Sequence, residues 1–376
     1  MQIGVPTEIK RDEHRVALTP DGVRELVARG HQVLIQRGAG LGSALTDAAF
    51  EQQGAEIVAD ADAVFANAQL VLKVKEPQPE EVARLRAGQT LFTYLHLAPD
   101  PALASGLCDS GATCIAYETV EVDGRLPLLA PMSEVAGRIA TQAGAFALGR
   151  PHGGRGILLG GVPGVSPATV VVIGGGVVGL NAAMIAIGMQ ANVYVLDRSI
   201  ERMRELDAIF AGRATTIYAS TLAIEELLPA ADLVIGAVLV AGARAPFVLR
   251  REQLALMPER AVLVDVAIDQ GGCFETSHPT THSDPTFEVD GIIHYCVANM
   301  PGAVPITSTY ALTNATLPFC IELADSGIDA ALASSPALHS GLNVRGGEIV
   351  HPAVAEALAT APGAGGGQLA GAVGSG

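Results

Sequence analysis

The sequence predicts an α/β chain built as two doubly wound parallel sheets with a cleft between them. Three observations carry that expectation. Strand-like apolar runs alternate with helical patterns along most of the chain, and such alternation builds a parallel sheet covered by helices. A Gly- and Pro-rich stretch at 150–167, RPHGGRGILLGGVPGVSP, separates two such series. The 376 residues suit about two domains, each with its own core, and a chain that is 49% hydrophobic and only 16% charged is compact rather than disordered.

The first series opens with the run MQIGVPTEI. A helix is predicted over 19–30: Thr19 can cap it, Pro20 suits its first turn and Gly30 ends it. The strands HQVLIQ, AEIV, LVLKVK, TLFTYLHL and TCIAYETV follow, with helices near 47–54 and 79–86. Small residues at helical spacing then predict one long helix over 132–150. The second series runs VVVI, helix, NVYVLD, a helix containing ERMRELDAIF, TTIYA, a helix near 224–228, DLVIGAVL, AVLVDVAI and IIHYCVA. A further helix is expected from about Asn314 through Pro318. The tail from 361, APGAGGGQLAGAVGSG, is low-complexity and is expected to be disordered.

A net charge of −16 repels phosphate backbones and anionic lipid, which argues against nucleic acid and membrane partners. The five cysteines are odd in number and include no CxxC pair, so neither a disulfide framework nor a structural zinc site is expected, and reduced thiols suit the cytoplasm. Charges in MQIGVPTEIKRDE stand where a signal peptide would need an apolar core. Residues 170–189 are uncharged and of spanning length, yet five glycines and Asn181 interrupt them, which suits buried strand, turn and helix better.

That segment contains Gly174-x-Gly176-x-x-Gly179 between a β-branched strand and a helix of small residues. In this context the motif predicts a dinucleotide grip and a Rossmann-like domain. Gly174 permits the tight turn, Gly176 removes a side chain from the path of a pyrophosphate, and Gly179 lets helix and strand approach. The positive helix end then faces the phosphates. Asp197 ends the next strand, 18 residues beyond Gly179, close to the expected separation of about 20. A carboxylate there accepts from both ribose hydroxyls and repels a 2′-phosphate, which favours NAD over NADP. Arg198 is adjacent, but successive residues at a strand end point apart.

Ligands of open parallel sheets sit beyond the C-terminal strand ends. Four ionisable residues occupy such positions: Arg15 after the first strand, Lys75 after LVLKV, His96 after TLFTYL and Asp269 after AVLVDVAI. Each alone has a bland reading as a cap or a solvated group. Together they suit oxidation of a small amino acid. Arg offers a bidentate fork to a carboxylate, Lys a donor to an oxygen, His a proton carrier in the right range, and Asp a second proton carrier or a partner for a cationic imine. Lys73, on the same face as Lys75, is given no role, and Asp265 and His14 are expected to be structural.

With these residues in view, the chain resembles the alanine dehydrogenase family over nearly its whole length. The stretches that carry the resemblance are MQIGVPTEIKRDEHRVALTP, VKEP, TYLHLA, PMSEVAGR, GGRGILLGGVPGV, the glycine motif, VLD, GAVLV, DVAIDQGGCFE, CVANMPGAVP and NATLPF. The resemblance implies reversible NAD-dependent oxidative deamination of L-alanine to pyruvate and ammonia. It implies Arg15 and Lys75 on the substrate carboxylate and keto oxygen, and His96 with Asp269 as the acid/base pair. Ser133, Gly174, Gly176, Val177, Val178, Gly179, Asp197, Arg202, Ser220, Val238 and Leu239 would line the cofactor, as would 266–269 (Val266, Ala267, Ile268, Asp269) and 297–300 (Val297, Ala298, Asn299, Met300). It implies a homohexamer. It also implies a discontinuous substrate domain, 1–130 plus 307–360, around a cofactor domain at 131–306.

Departures are few. Arg202 stands where some members have Lys, and Ala219-Ser220 where others have two serines. Glu322 is present, but Ser326 replaces a His thought to hold magnesium with it, so no such metal is expected. The NAD-binding subunit of proton-translocating transhydrogenase shares much of the pattern but should lack the full set of four strand-end residues. A non-catalytic NAD sensor would keep the glycine motif and lose that set.

Overall fold

The structure is a computed structural model and describes residues 1–238 and 246–360. It contains two sheets. The first holds β1 (Gln2–Val5), β2 (Gln32–Gln36), β3 (Glu56–Val58), β4 (Leu70–Leu72), β5 (Thr90–Thr93) and β6 (Thr113–Ala116). The second holds β7 (Thr169–Ile173), β8 (Asn192–Asp197), β9 (Thr215–Tyr218), β10 (Leu233–Gly236), β11 (Val262–Asp265), β12 (Thr286–Val289) and β13 (Ile292–Tyr295). The chain then returns to the first sheet with β14 (Leu342–Arg345) and β15 (Glu348–Ile349).

The strand orders are β15-β14-β6-β5-β4-β1-β2-β3 and β12-β13-β11-β10-β7-β8-β9. Neighbours are parallel except at one edge of each sheet, where β14 runs against β6, β15 against β14 and β12 against β13. Central strands such as Leu70–Leu72 and Leu233–Gly236 are buried throughout. That explains why they read as continuous apolar runs rather than alternations: helices cover both faces.

Helix ends follow local chemistry. Thr19 caps Pro20–Ala28 by accepting from the Gly22 N–H. The long helix is Ala130–Ala147, starting two residues before the expected point because Pro131 suits a first turn. The helix expected from about Asn314 begins at Pro305 for the same reason, and runs through Pro318 to Ser326. Pattern reading missed Pro101–Ser110, although Asp100 caps it, Pro101 opens it and Gly111 closes it in the left-handed region. β12, β14 and β15 were too short to show a period.

Helix Ala130–Ala147 packs along Val177–Gly188. A Cβ on Gly137 would stand 2.2 Å from the Val178 carbonyl oxygen, so only glycine allows this approach. The first helix thereby reaches from the second sheet's core to the cleft, where Met132 and Ser133 lie. Leu239 and the tail 361–376 fall outside the described residues.

Candidate active site

Each sheet has one point where the strand order reverses, between β1 and β4 in the first and between β7 and β10 in the second. Such switch points open crevices at the C-terminal strand ends. Arg15 follows β1 and Lys75 follows β4, so both stand at the first crevice, with His96 after the adjacent β5. Gly174 follows β7 and Val238 follows β10, at the second, with Asp269 after the adjacent β11. The two crevices share one cavity of about 110 Å³. Arg15, Lys75, His96 and Asp269 all line it, together with Ser133, Val178, Val266, Ala267 and Asn299.

Arg15 is almost wholly buried. Its Nε and Nη2 donate to the two oxygens of Glu13 at 2.7 and 2.5 Å, its Nη2 also donates to Asn299 Oδ1 at 2.8 Å, and Nη1 points at the Met132 sulfur at 3.0 Å. The fork that the sequence suggested for a substrate is therefore committed to Glu13, which leaves the Nη1 side for other work. Burial opposes ionisation of Glu13, but hydrogen bonds from Arg15, its charge and the Asn299 amide outweigh it and hold the carboxyl at about 2.

Lys75 and His96 meet at Glu76. One Glu76 oxygen lies 3.4 Å from His96 Nδ1 and 4.0 Å from Lys75 Nζ, and the other pairs with Lys10. Burial raises the Glu76 pKa, but the His96 ring and the Lys75 and Lys10 charges hold it well below the usual carboxylate range. The His96 backbone is left-handed, at φ 48°. Glu118 stabilises that conformation by accepting from the Leu95 and His96 N–H groups, the latter at 2.6 Å. Lys73 sits behind this cluster, fully buried between Glu8 and Glu81 at 3.0 and 2.6 Å. Glu8 also accepts from the Val74 and Lys75 N–H groups, so the buried ion pairs fix the backbone that carries Lys75.

Asp269 is exposed at the cavity mouth and accepts from the Asn299 N–H at 3.3 Å. Asp265, by contrast, is fully buried and accepts from the Cys273 and Phe274 N–H groups and the Ser277 hydroxyl, which makes it an organiser of the loop after β11.

The glycine turn fits a dinucleotide. Gly174 has φ 105°, and a Cβ there would stand 2.6 Å from the Ala237 oxygen. A Cβ on Gly176 would meet nothing within 4 Å: the space above the turn is open. One on Gly179 would stand 1.8 Å from the Gly174 oxygen. Helix Val177–Gly188 starts after Gly176 with no side-chain cap, so no side chain of its own competes for its first-turn N–H groups. Asp197 accepts from the Gly175 and Ser199 N–H groups at 2.7 and 2.8 Å, which aims its carboxylate at the turn and leaves further acceptor capacity. Arg202 Nε donates to the Gly175 oxygen, and the Ser220 hydroxyl caps helix Thr221–Leu227.

Not every residue read as cofactor-lining presents a side chain to the cavity. Val297, Ile268 and Met300 are buried in the core and do not line the cavity. Val177 is exposed on the turn side, Ala298 half-buried, and Val238 packs partly on the second core. Sequence reading missed Glu13, Glu76, Glu118 and Tyr94. The first two adjoin residues that were singled out, but spacing alone does not say that such carboxylates turn inward.

Among the described residues no group of three or more His, Cys, Asp or Glu side chains converges as a metal site, and no helix is long and apolar enough to cross a membrane. Glu322 accepts from the Ser335 hydroxyl instead.

Comparison with known proteins places two family models end to end on the chain: alanine dehydrogenase/PNT, N-terminal domain, on residues 4–136, and the C-terminal domain on 140–352. An alanine dehydrogenase of Halomonas elongata is 61% identical over 359 residues, 95% of this chain and 97% of that protein. One of Bacillus subtilis is 54% identical over 95% of both. A solved L-alanine dehydrogenase superposes with a TM-score of 0.92 at 50% identity, covering 95% of this chain and 99% of that one. The transhydrogenase from Sinorhizobium meliloti shares the fold at a TM-score of 0.79 and 24% identity.

Proposed function

The chain belongs to the alanine dehydrogenase/PNT family, and from that premise we propose that it catalyses reversible NAD-dependent oxidative deamination of L-alanine to pyruvate and ammonia. One observation carries this beyond family membership: Arg15, Lys75, His96 and Asp269, from four different strand ends, line one cavity of about 110 Å³ beside the glycine turn. A cavity of that size suits a three-carbon acid.

NAD, when bound, supplies the hydride acceptor. Gly174, Gly176 and Gly179 would cradle its pyrophosphate and Asp197 its ribose. Ser133, Val178, Ala267 and the 297–300 segment would enclose the nicotinamide end. The chain's own residues do the rest. Lys75 and the Nη1 side of Arg15 bind the substrate carboxylate and, in the oxo acid, its keto oxygen. Oxidation requires the substrate ammonium to lose a proton, and water addition to the resulting imine releases another. His96 carries these protons, with Glu76 behind Nδ1 so that Nε2 exchanges with the substrate side. Asp269 supports the cationic imine and can take a second proton. Collapse of the carbinolamine passes its hydroxyl proton to the leaving nitrogen as the C–N bond breaks, and ammonia then takes up one of the two released protons, so each turnover releases one net proton.

We propose in addition a cytoplasmic homohexamer. The five unpaired thiols suit a reducing compartment, and the hexamer rests on the family resemblance. The substrate domain would comprise 1–130 and 307–360, around a cofactor domain at 131–306; the pairing of β14 with β6 supports this division.

The test is a panel assay. Purified protein is given L-alanine and other small L-amino acids with NAD and NADP in parallel, and NADH formation is followed. L-alanine with NAD is expected to be the best pair. A larger amino acid turned over faster, or equal use of NADP, overturns the reading. Sedimentation velocity tests the hexamer.

A further inference from the structure

Asn299 joins the two sides of the cleft through three separate contacts. Its Oδ1 accepts from Arg15 Nη2 at 2.8 Å, and its Nδ2 donates to Glu13 Oε2 at 3.0 Å. Its backbone N–H donates to the Asp269 carboxylate at 3.3 Å. The amide orientation follows from the partners: a guanidinium only donates and a carboxylate only accepts. Asn299 itself is left-handed at φ 59°, a region that Asn tolerates and bulkier residues avoid. Its carbonyl is held by the Gly302 N–H at 2.8 Å and faces His282 Nε2 at 3.2 Å. The backbone is thus fixed from both sides, and the side chain is fully engaged with the Arg15–Glu13 pair.

We propose that Asn299 is a positioning residue for the substrate carboxylate site: its side chain sets the orientation of Arg15, while its backbone serves the cofactor side through Asp269. The inference rests on the function proposed above. Arg15 and Glu13 lie in one loop and are bonded to each other through the fork and through the Arg15 backbone N–H, so by themselves they are not tied to the second sheet. The Asn299 amide bonds Nη2 and Oε2, the two atoms of one arm of that fork, and so fixes the pair against the loop after β13. It also does so without charge. An Asp in its place could still accept from Arg15 but would set a second carboxylate against Glu13 and further neutralise the cation that a substrate must find.

Two variants separate this role from a general structural one. Asn299→Gly keeps the left-handed backbone and the Asp269 contact but removes the amide. It is expected to raise the Michaelis constant for pyruvate about tenfold, with a smaller change in kcat and with NADH affinity, read by fluorescence titration, within about twofold of wild type. Asn299→Asp is expected to raise the same constant further than Gly does, because the added charge opposes the substrate anion. Thermal melts accompany both, and the comparison is made on folded protein. An unchanged pyruvate constant in both variants, a loss confined to NADH affinity, or an Asp variant that restores wild-type behaviour overturns the proposal. Wild-type protein that fails to oxidise NADH with pyruvate and ammonium overturns the functional reading, and the inference with it. Active wild type with unaltered variants overturns the inference alone.

Discussion

Glu76 presents one carboxylate oxygen to His96 Nδ1 at 3.4 Å while its other oxygen pairs with Lys10. The same oxygen that faces His96 lies 4.0 Å from Lys75 Nζ. One half-buried anion thereby stands between the Lys10 and Lys75 cations and beside the ring that is proposed to move protons. Carboxylates behind catalytic imidazoles act in this way by fixing tautomer and ring direction.

Replacing Glu76 with Gln keeps the shape and removes the charge. The expected result is a fall in kcat for alanine oxidation of about tenfold or more, with NADH affinity unchanged because Glu76 does not touch the glycine turn. Steady-state kinetics and NADH fluorescence check it. An unaltered kcat removes Glu76 from the proposed machinery.

Replacing Arg15 with Lys tests how the guanidinium is used. A single ammonium cannot bond both Glu13 oxygens and Asn299 as the fork does. The Michaelis constant for pyruvate is expected to rise about tenfold, and the melting temperature to fall as well, since Glu13 loses part of its compensation. A rise in the constant without any loss of stability would show that the Glu13 pairing is incidental.

Acid should weaken the protein through Glu13. Its carboxyl is at about 2 in the folded chain against 4.5 for a free side chain. A depressed folded pKa contributes stability that is fully present above about 4.5 and lost as pH falls toward about 2. The shift corresponds to about 3 kcal/mol. Unfolding free energies of wild type and Glu13→Gln across that window are expected to converge as pH drops. Parallel curves would contradict the assignment.

Replacing Asp197 with Ala is expected to cost about tenfold in NAD affinity and to relax discrimination against NADP. Part of the loss comes from the turn itself, because Asp197 also accepts from the Gly175 and Ser199 N–H groups. Binding titrations with both dinucleotides check it. Retained discrimination would move the basis of NAD preference elsewhere.

Gly137→Ala should destabilise the chain by about 1–3 kcal/mol, since its Cβ would collide with the Val178 oxygen at 2.2 Å. Denaturant midpoints measure this. A neutral substitution would mean that the two helices separate easily.

The elements that were legible are those with local causes. Thr19, Pro20 and Gly30 mark the first helix because caps and turns act within a few residues. The glycine turn was legible because steric limits at Gly174 and Gly179 exclude a side chain, while Gly176 keeps the space above the turn open. The four strand-end residues were legible because parallel sheets bind ligands at that end. The start of Pro305–Ser326 was hard to read because the buried positions of its first turns are Ser308 and Thr309 rather than apolar residues. β14 and β15 escaped notice because a strand of two to four residues has no period to read.

Residue order alone therefore determined the two largely parallel sheets, the dinucleotide turn and the strand-end placement of Arg15, Lys75, His96 and Asp269, all of which follow from short-range sterics and strand order. Tertiary structure alone decided what those residues face. Glu13 takes the Arg15 fork, Glu76 stands behind His96, and Asn299 spans the cleft to both Arg15 and Glu13. These partners are up to 286 residues apart in sequence. A carboxylate's direction at such range depends on how two sheets close on each other, which no local pattern encodes.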